Sequence, residues 1–178
     1  MRIISGSHKS RQIHTPTNLP VRPTTDFAKE SLFNILNNLV DFEGLKVLDL
    51  FAGTGNISYE FFSRGAEMVT TVEMERRCSM FIEKTAEILK AETITVFRSD
   101  VFQFLKHGFG TYDVIFADPP YDLEQINDLP DLIFASDLLL PEGIFILEHS
   151  KRSHFEDHPF FDQHRVYGNV NFSFFSRK

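Results

Sequence analysis

Four short apolar runs in this chain each end at an acid, and that recurrence restricts the fold more than any other feature. "KVLDLF" (46–51) carries Asp49, "MVTTVEM" (68–74) carries Glu73, "ITVFRSD" (94–100) ends on Asp100 and "YDVIFADPP" reaches Asp118. Short, almost wholly apolar runs of this kind are strands buried on both faces of a parallel sheet. Helical spacing fills the gaps between them. "NISYEFFSRG" reads as a helix closed by Gly65, and residues 75–90 place Cys78, Phe81, Ile82, Thr85 and Leu89 on one face. "VFQFLKH" is a short helix after the third strand. Ahead of the first strand, Thr24, Thr25 and Asp26 offer N-cap oxygens for a helix running to about Val40, with Leu32, Ile35, Leu36 and Leu39 on its apolar face. Residues 123–136 suit a helix that Pro130 interrupts, and "GIFILEHS" (143–150) is a fifth strand. The tail then changes character: "HRVY" and "VNFSFF" flank a Gly-Asn turn, the pattern of an antiparallel hairpin. Strand and helix alternating with short connections predict a doubly wound α/β sheet, mostly parallel, with that hairpin on one edge.

The 178 residues suffice for one domain with a substantial core. No apolar run approaches the roughly 20 residues of a membrane span, and the start, "MRIISGSHKS", lacks the apolar stretch of a secretory signal. The single cysteine, Cys78, excludes an intrachain disulfide and fits a reducing cytoplasm. The net charge is −7, but residues 1–25 hold Arg2, Lys9, Arg11 and Arg22 without one acid, so +4 there leaves −11 for the rest. Such asymmetry predicts a basic arm, a short β-hairpin over residues 1–20, on an acidic body spanning 21–178. Arg2, Lys9, Arg11 and Arg22 are therefore the candidate contacts to nucleic acid.

Ligands of open α/β sheets bind beyond the carboxyl ends of the strands, where the strand order reverses. That rim should gather Asp49, Glu73, Asp100 and Asp118, together with the turn Phe51-Ala52-Gly53-Thr54-Gly55. Gly53 and Gly55 allow positive φ and close approach to a ligand. A dinucleotide fingerprint would need a third glycine where Ser58 stands, and a pyrophosphate would avoid Asp49. A cationic ligand without phosphate suits the rim better, and S-adenosyl-L-methionine is such a ligand. Glu73 would then grip the ribose hydroxyls, Asp100 the adenine amino group and the Val101 N–H the adenine ring, with Phe51, Met74 and Phe102 lining the slot.

"ADPPY" (117–121) supplies the opposite wall. Two prolines end any strand ladder, but a simple turn needs neither the Asp nor the Tyr. An exocyclic amine on a base is a poor nucleophile, because its lone pair is conjugated into the ring. Two acceptors aimed at its hydrogens, the Asp118 carboxylate and the Pro119 carbonyl, would direct that lone pair at a methyl donor. Pro119 and Pro120 fix the carbonyl, lowering the entropic part of the barrier. Tyr121 offers a stacking face worth about 1–3 kcal/mol to a base drawn out of its helix.

These residues resemble the amino-group-methylating class I methyltransferases dependent on S-adenosyl-L-methionine. "RIISG", "VRPTTDFAKESLFNIL", "DLFAGTG", "VEM", "DPPY" and "YGNVNFSFF" together resemble the RsmD family over nearly the whole chain. The resemblance implies a Rossmann-like, seven-stranded class I methyltransferase fold and methylation of guanine N2 at one site in small-subunit (16S) rRNA. It implies rRNA as the partner, naked or within an assembling ribosomal particle, a cytoplasmic monomer, and positions for Arg22 and Thr24 near the mouth of the site. The chain departs from the family's usual pattern at Phe27, commonly a basic residue, and in "KSR" for "KGR" in the early hairpin. Two other readings stay open: an adenine-N6 methyltransferase of DNA or RNA, which shares the D-P-P-Y stretch, and a non-catalytic RNA-binding assembly factor. "HFEDH" (154–158) departs from a zinc-binding pattern at Asp157 and runs into Pro159, so no metal is expected. Cys78 reads as core rather than nucleophile.

Overall fold

The computed structural model describes residues 1–21 and 25–177. Strands β1 (Lys46–Leu50), β2 (Met68–Val72), β3 (Ile94–Phe97), β4 (Tyr112–Ala117), β5 (Leu139–His149), β6 (Phe161–Tyr167) and β7 (Val170–Ser176) form one sheet in the order β3-β2-β1-β4-β5-β7-β6. β1 to β5 pair in parallel, β7 lies antiparallel to β5, and β6 antiparallel to β7. The chain steps outward from β1 to β3 and then returns to the other side of β1 as β4. That reversal opens a crevice beyond the carboxyl ends of β1 and β4.

Alternate residues of each strand serve opposite faces. Leu48, Leu50, Ile115, Ala117, Phe145 and Leu147 pack under α4 (Val101–His107) and α5 (Leu129–Ala135). Val47, Val69, Val114, Phe116 and Ile146 pack under α1 (Asp26–Leu36) and α2 (Asn56–Ser63). By this alternation Asp49 and Glu148 belong to the α1/α2 face, and Asp118 continues it past the end of β4. α3 (Arg76–Leu89) covers the sheet beside α2.

Three elements differ from expectation in their bounds. α1 stops at Leu36 rather than near Val40, because Asn38 bonds back to the Asn34 carbonyl at 3.0 Å and Leu39 is left 43% exposed. The segment expected as one helix over 123–136 is a 3-10 turn (Glu124–Asp128) followed by α5, with Pro130 in the first turn, where no N–H is needed. β3 ends at Phe97, and Asp100 instead caps α4 by accepting the Gln103 N–H at 3.0 Å.

The basic N-terminal segment is seated on the body. Arg2 bridges Gln12 in antiparallel fashion, and Ile3 and Ile13 are buried against Tyr59, Ile82 and Leu89. Buried Glu60 accepts the N–H groups of Ile4 and Ser5 at 2.8 and 3.0 Å, and pairs with Arg64 at 2.9 Å and Lys29 at 3.5 Å. Lys29 also donates to the Arg2 carbonyl at 2.6 Å and to Asn56 Oδ1 at 2.8 Å. Removing one member of such a buried ionic group costs about 3–5 kcal/mol. Burial, the largest influence, lowers the Lys29 pKa despite the neighbouring Glu60. Gly6 has φ +84°, and a Cβ there would collide with the Ser63 carbonyl. Gly6→Ala is therefore expected to cost more than about 1 kcal/mol and to lower Tm by at least about 2–4 °C. Thermal unfolding, with limited proteolysis of the first 13 residues, measures both the loss and the loosened segment.

Candidate active site

The four strand-end acids line a single cleft of about 630 Å³ at the reversal point, and Asp118, Pro119, Pro120 and Tyr121 line it with them. Its walls also include Phe51, Ala52, Gly53, Met74, Val101 and Phe102. Among the described residues the lining contains no Lys or Arg. Arg22 and Thr24, expected at the mouth, lie outside the described residues; Val21 and Thr25, on either side of that stretch, both line the cleft.

The turn after β1 carries the sharpest backbone. Phe51, Gly53 and Gly55 have φ of +59°, +56° and +78°. For Phe51 this left-handed conformation is strained, a feature that clusters at ligand sites. The Ala52 N–H bonds the Val72 carbonyl at 3.1 Å, tying the turn to β2. The two glycines divide their tasks. Gly53 lines the cleft, and its N–H donates to Glu73 Oε2 at 2.7 Å. Gly55 is not in the lining; it begins α2, and a Cβ there would press on the Tyr59 ring at 2.8 Å.

The acids differ in environment. Asp49 is 1% exposed and accepts the Ser58 hydroxyl at 2.5 Å. Burial first, and the charges of Asp118 and Glu73 after it, raise its pKa from 3.8 to about 7. Glu73 takes the Gly53 N–H on one oxygen and the Glu75 N–H at 2.7 Å on the other; each oxygen keeps a lone pair for a further donor. Burial pushes the Glu73 pKa upward against those two bonds. Asp100 is half-buried and engaged through Oδ1 in capping α4. Phe51 and Phe102 meet edge to face with centroids 6.5 Å apart, and Met74 stands 66% exposed at the rim. A buried acid, two further acids and no Lys or Arg among the described wall residues are a chemical match for a positively charged, hydroxyl-bearing ligand.

The sequence reading missed a fifth acid. Glu148, at the end of β5, lines the same cleft and accepts the Tyr121 hydroxyl at 3.2 Å. The sequence carried only a partial signal, an acid one residue before the end of β5. Burial and the neighbouring Glu148 and Asp118 carboxyls push the Tyr121 phenol upward. Beside the cleft, and sharing Tyr121 with it, lies a hollow of about 480 Å³ lined by Lys151, Arg152, Asn169 and Asn171. Arg2, Lys9 and Arg11 are exposed on the seated arm, Arg2 within 3.7 Å of Asp26. Cys78 is buried in α3, as its apolar face predicted. No cluster of His, Cys, Asp and Glu among the described residues has the arrangement of a metal site. No helix among them is long and apolar enough to cross a membrane.

A parallel sheet ordered about this switch point, with the acid-lined cleft and the D-P-P-Y wall, defines a Rossmann-like class I methyltransferase. The chain belongs to the family described as "conserved hypothetical protein 95", which matches residues 1–176. It is 35% identical to "Putative rRNA methyltransferase YlbH" of Bacillus subtilis over 158 residues, covering 85% of this chain and 83% of that protein. It is 32% identical to "Ribosomal RNA small subunit methyltransferase D" of Escherichia coli K12 over 148 residues, covering 83% of this chain and 74% of the relative. Among solved structures, "Putative methyltransferase yhhF from Escherichia coli" superposes with a TM-score of 0.86 at 29% identity, covering 100% of this chain and 98% of that one.

The raised pKa of Asp49 makes a pH prediction. Between about pH 4 and 7 the folded chain keeps a proton on Asp49 that the unfolded chain releases, so stability falls as pH rises through this window. Asp49→Asn removes the titration. The variant's unfolding free energy should gain on wild type by up to roughly 4 kcal/mol from pH 4 to 8, flattening above pH 7. Denaturant unfolding of both proteins across that range measures the difference.

Proposed function

We propose that this chain is a cytoplasmic, monomeric enzyme that uses S-adenosyl-L-methionine to methylate the N2 amine of a guanine in small-subunit rRNA, either naked or within an assembling particle. The observation that carries the reading is the cleft itself: acids and aromatic rings without a cation on one wall, D-P-P-Y on the other. The name of a relative aligned over most of this chain, a small-subunit rRNA methyltransferase, supports the substrate class. When bound, S-adenosyl-L-methionine supplies the methyl group on its sulfonium.

In this reading Asp49 meets the ligand's charged end and Glu73 receives its ribose hydroxyls, each oxygen adding one bond to the backbone bond it already accepts. Asp100 and the Val101 N–H receive the adenine between Phe51, Met74 and Phe102. Gly53 permits the close approach, and Gly55 holds α2 where the turn needs it. On the opposite wall Asp118 and the Pro119 carbonyl accept the two hydrogens of the target amine, and their pull frees the nitrogen lone pair for attack. Asp118 then takes the proton that nitrogen loses on gaining its methyl group. Tyr121 stacks on the extruded base. Residues 1–20 act as a basic arm beside the catalytic body 21–178, with Arg2, Lys9, Arg11 and Arg22 on RNA phosphates; the Lys151–Arg152 hollow lies where nucleotides flanking the target would pass.

Asp118→Ala should depress turnover by orders of magnitude with near-normal cofactor affinity. Glu73→Ala should weaken cofactor binding by roughly ten- to a hundredfold, the worth of a charge-assisted hydrogen bond. Calorimetry and transfer of labelled methyl to unmodified small-subunit rRNA separate the two effects. Digestion to nucleosides should place the label in N2-methylguanosine; label in N6-methyladenosine, or cofactor binding with no transfer to any ribosomal precursor, overturns the reading.

Neutralising Arg2, Lys9 and Arg11 together should lower RNA affinity and reduce the salt slope of log K by up to about 2. Binding titrations at several salt concentrations give that slope, and a slope equal to wild type would leave the segment a purely structural role.

A further inference from the structure

Glu148 takes no part in the chemistry assigned above, yet its state in the fold calls for a partner. It is 4% exposed, it lines the cleft, and its Oε2 has no hydrogen-bond partner among the described residues. Leaving a buried acceptor without a donor is destabilising, and in a binding cleft the deficit is relieved when a ligand brings the donor. The other oxygen, Oε1, is occupied by the Tyr121 hydroxyl at 3.2 Å, which leaves Oε2 as the atom open to a ligand.

Sheet register gives the position. β4 and β5 are parallel with Ala117 opposite Leu147, so the next residues stand side by side, Asp118 just past the end of β4 and Glu148 still within β5. They continue the same face, at the ~4.8 Å spacing of neighbouring strands. Burial first, and the Asp118 charge second, push the Glu148 pKa upward; an N–H donated to Oε2 favours the ionised form, the one that accepts it. Two carboxyl groups therefore stand in a row on one wall, beside the ring on which the base stacks.

We propose that Glu148 is a specificity-determining residue whose open carboxyl oxygen accepts the N1–H of the target guanine while Asp118 and the Pro119 carbonyl hold the adjacent N2 amine. This inference rests on the guanine-N2 reading above. The edge of the base dictates the match. Guanine presents N1–H and N2–H as donors on neighbouring atoms, and a row of acceptors on adjacent strands meets both. Adenine sets an acceptor, N1, beside its N6 amine, so its lone pair would face the Glu148 oxygen. A site built to hydrogen-bond one group rejects the analogue that lacks it, because its own polar atom then stays unpaired. The D-P-P-Y stretch grips an amine of either base; Glu148 supplies the choice between them. The bond from Tyr121 fixes which oxygen reads the base and ties the reader to the stacking ring.

The test uses small ribosomal subunits assembled from unmodified 16S rRNA transcripts. The wild-type enzyme first marks its own target nucleotide. Subunits are then assembled with 2-aminopurine at that nucleotide, which keeps the N2 amine and lacks the N1–H. Wild type should lose roughly ten- to a hundredfold in kcat/KM on 2-aminopurine. Glu148→Leu should lose a similar factor on guanine and little more on 2-aminopurine, so that its preference between the two collapses. Glu148→Gln, which keeps an acceptor oxygen and the side-chain shape, should fall between. Cofactor affinity by calorimetry should be unchanged in both variants, confirming an intact fold. If both variants keep the wild-type preference for guanine over 2-aminopurine, Glu148 does not read N1 and the inference is overturned while guanine-N2 methylation stands. If wild type itself puts no methyl on guanine N2, the underlying reading fails and this one falls with it.

Discussion

Carboxylates crowded at one edge of a parallel sheet repel one another, and the rest of this structure is arranged around that repulsion. The strands cannot separate, because Leu48, Leu50, Val47 and their neighbours are locked between helices on both faces. The acids must therefore be met by donors or by protons. Backbone N–H groups meet Glu73, a serine hydroxyl meets Asp49, a phenol meets Glu148, and helix capping engages Asp100. What these donors leave unbalanced appears as carboxyl groups pushed toward the neutral form, Asp49 to about 7 and Glu148 to about 8. Such displaced pKa values concentrate at functional sites because a site that binds charge must hold charge uncompensated while empty.

The same cleft shows how a sheet can serve two ligands with one rim. β1, β2 and the start of α4 face one way along the crevice and carry the acids suited to a cationic, hydroxylated molecule. β4 and β5 carry the acids that, in the proposed reading, face a planar base. The boundary is the switch point between β1 and β4, where the strand order reverses and the two proposed ligands would meet.

Much of this was legible in the sequence because it rests on local pattern. Each of the first four strands announced itself by apolar composition and by an acid in it or shortly after it, and Pro130 marked the first turn of α5. The rest depended on contacts that no periodicity encodes. Lys29 and Glu60 are 31 residues apart and meet only when α1 lies against α2. Gly53 and Gly55 look equivalent in "AGTG", and only the Tyr59 ring beneath Gly55 separates their roles. Ile3 and Ile13 sit in a loop too short to show an apolar face, so the seat of the basic segment could not be read. Glu148 was missed for a different reason. "ILEHS" reads as an ordinary strand end, and its meaning comes from pairing in register with the strand that carries Asp118.

The buried Lys29 ammonium joins two regions that the chain keeps 54 residues apart in sequence, holding the Arg2 carbonyl on one side and Asn56, in the cleft wall, on the other. It works as a rivet between the outer loop and the floor of the catalytic chamber. In the proposed reading a polyanion held by Arg2 would draw on the same buried side chain that fixes the start of α2.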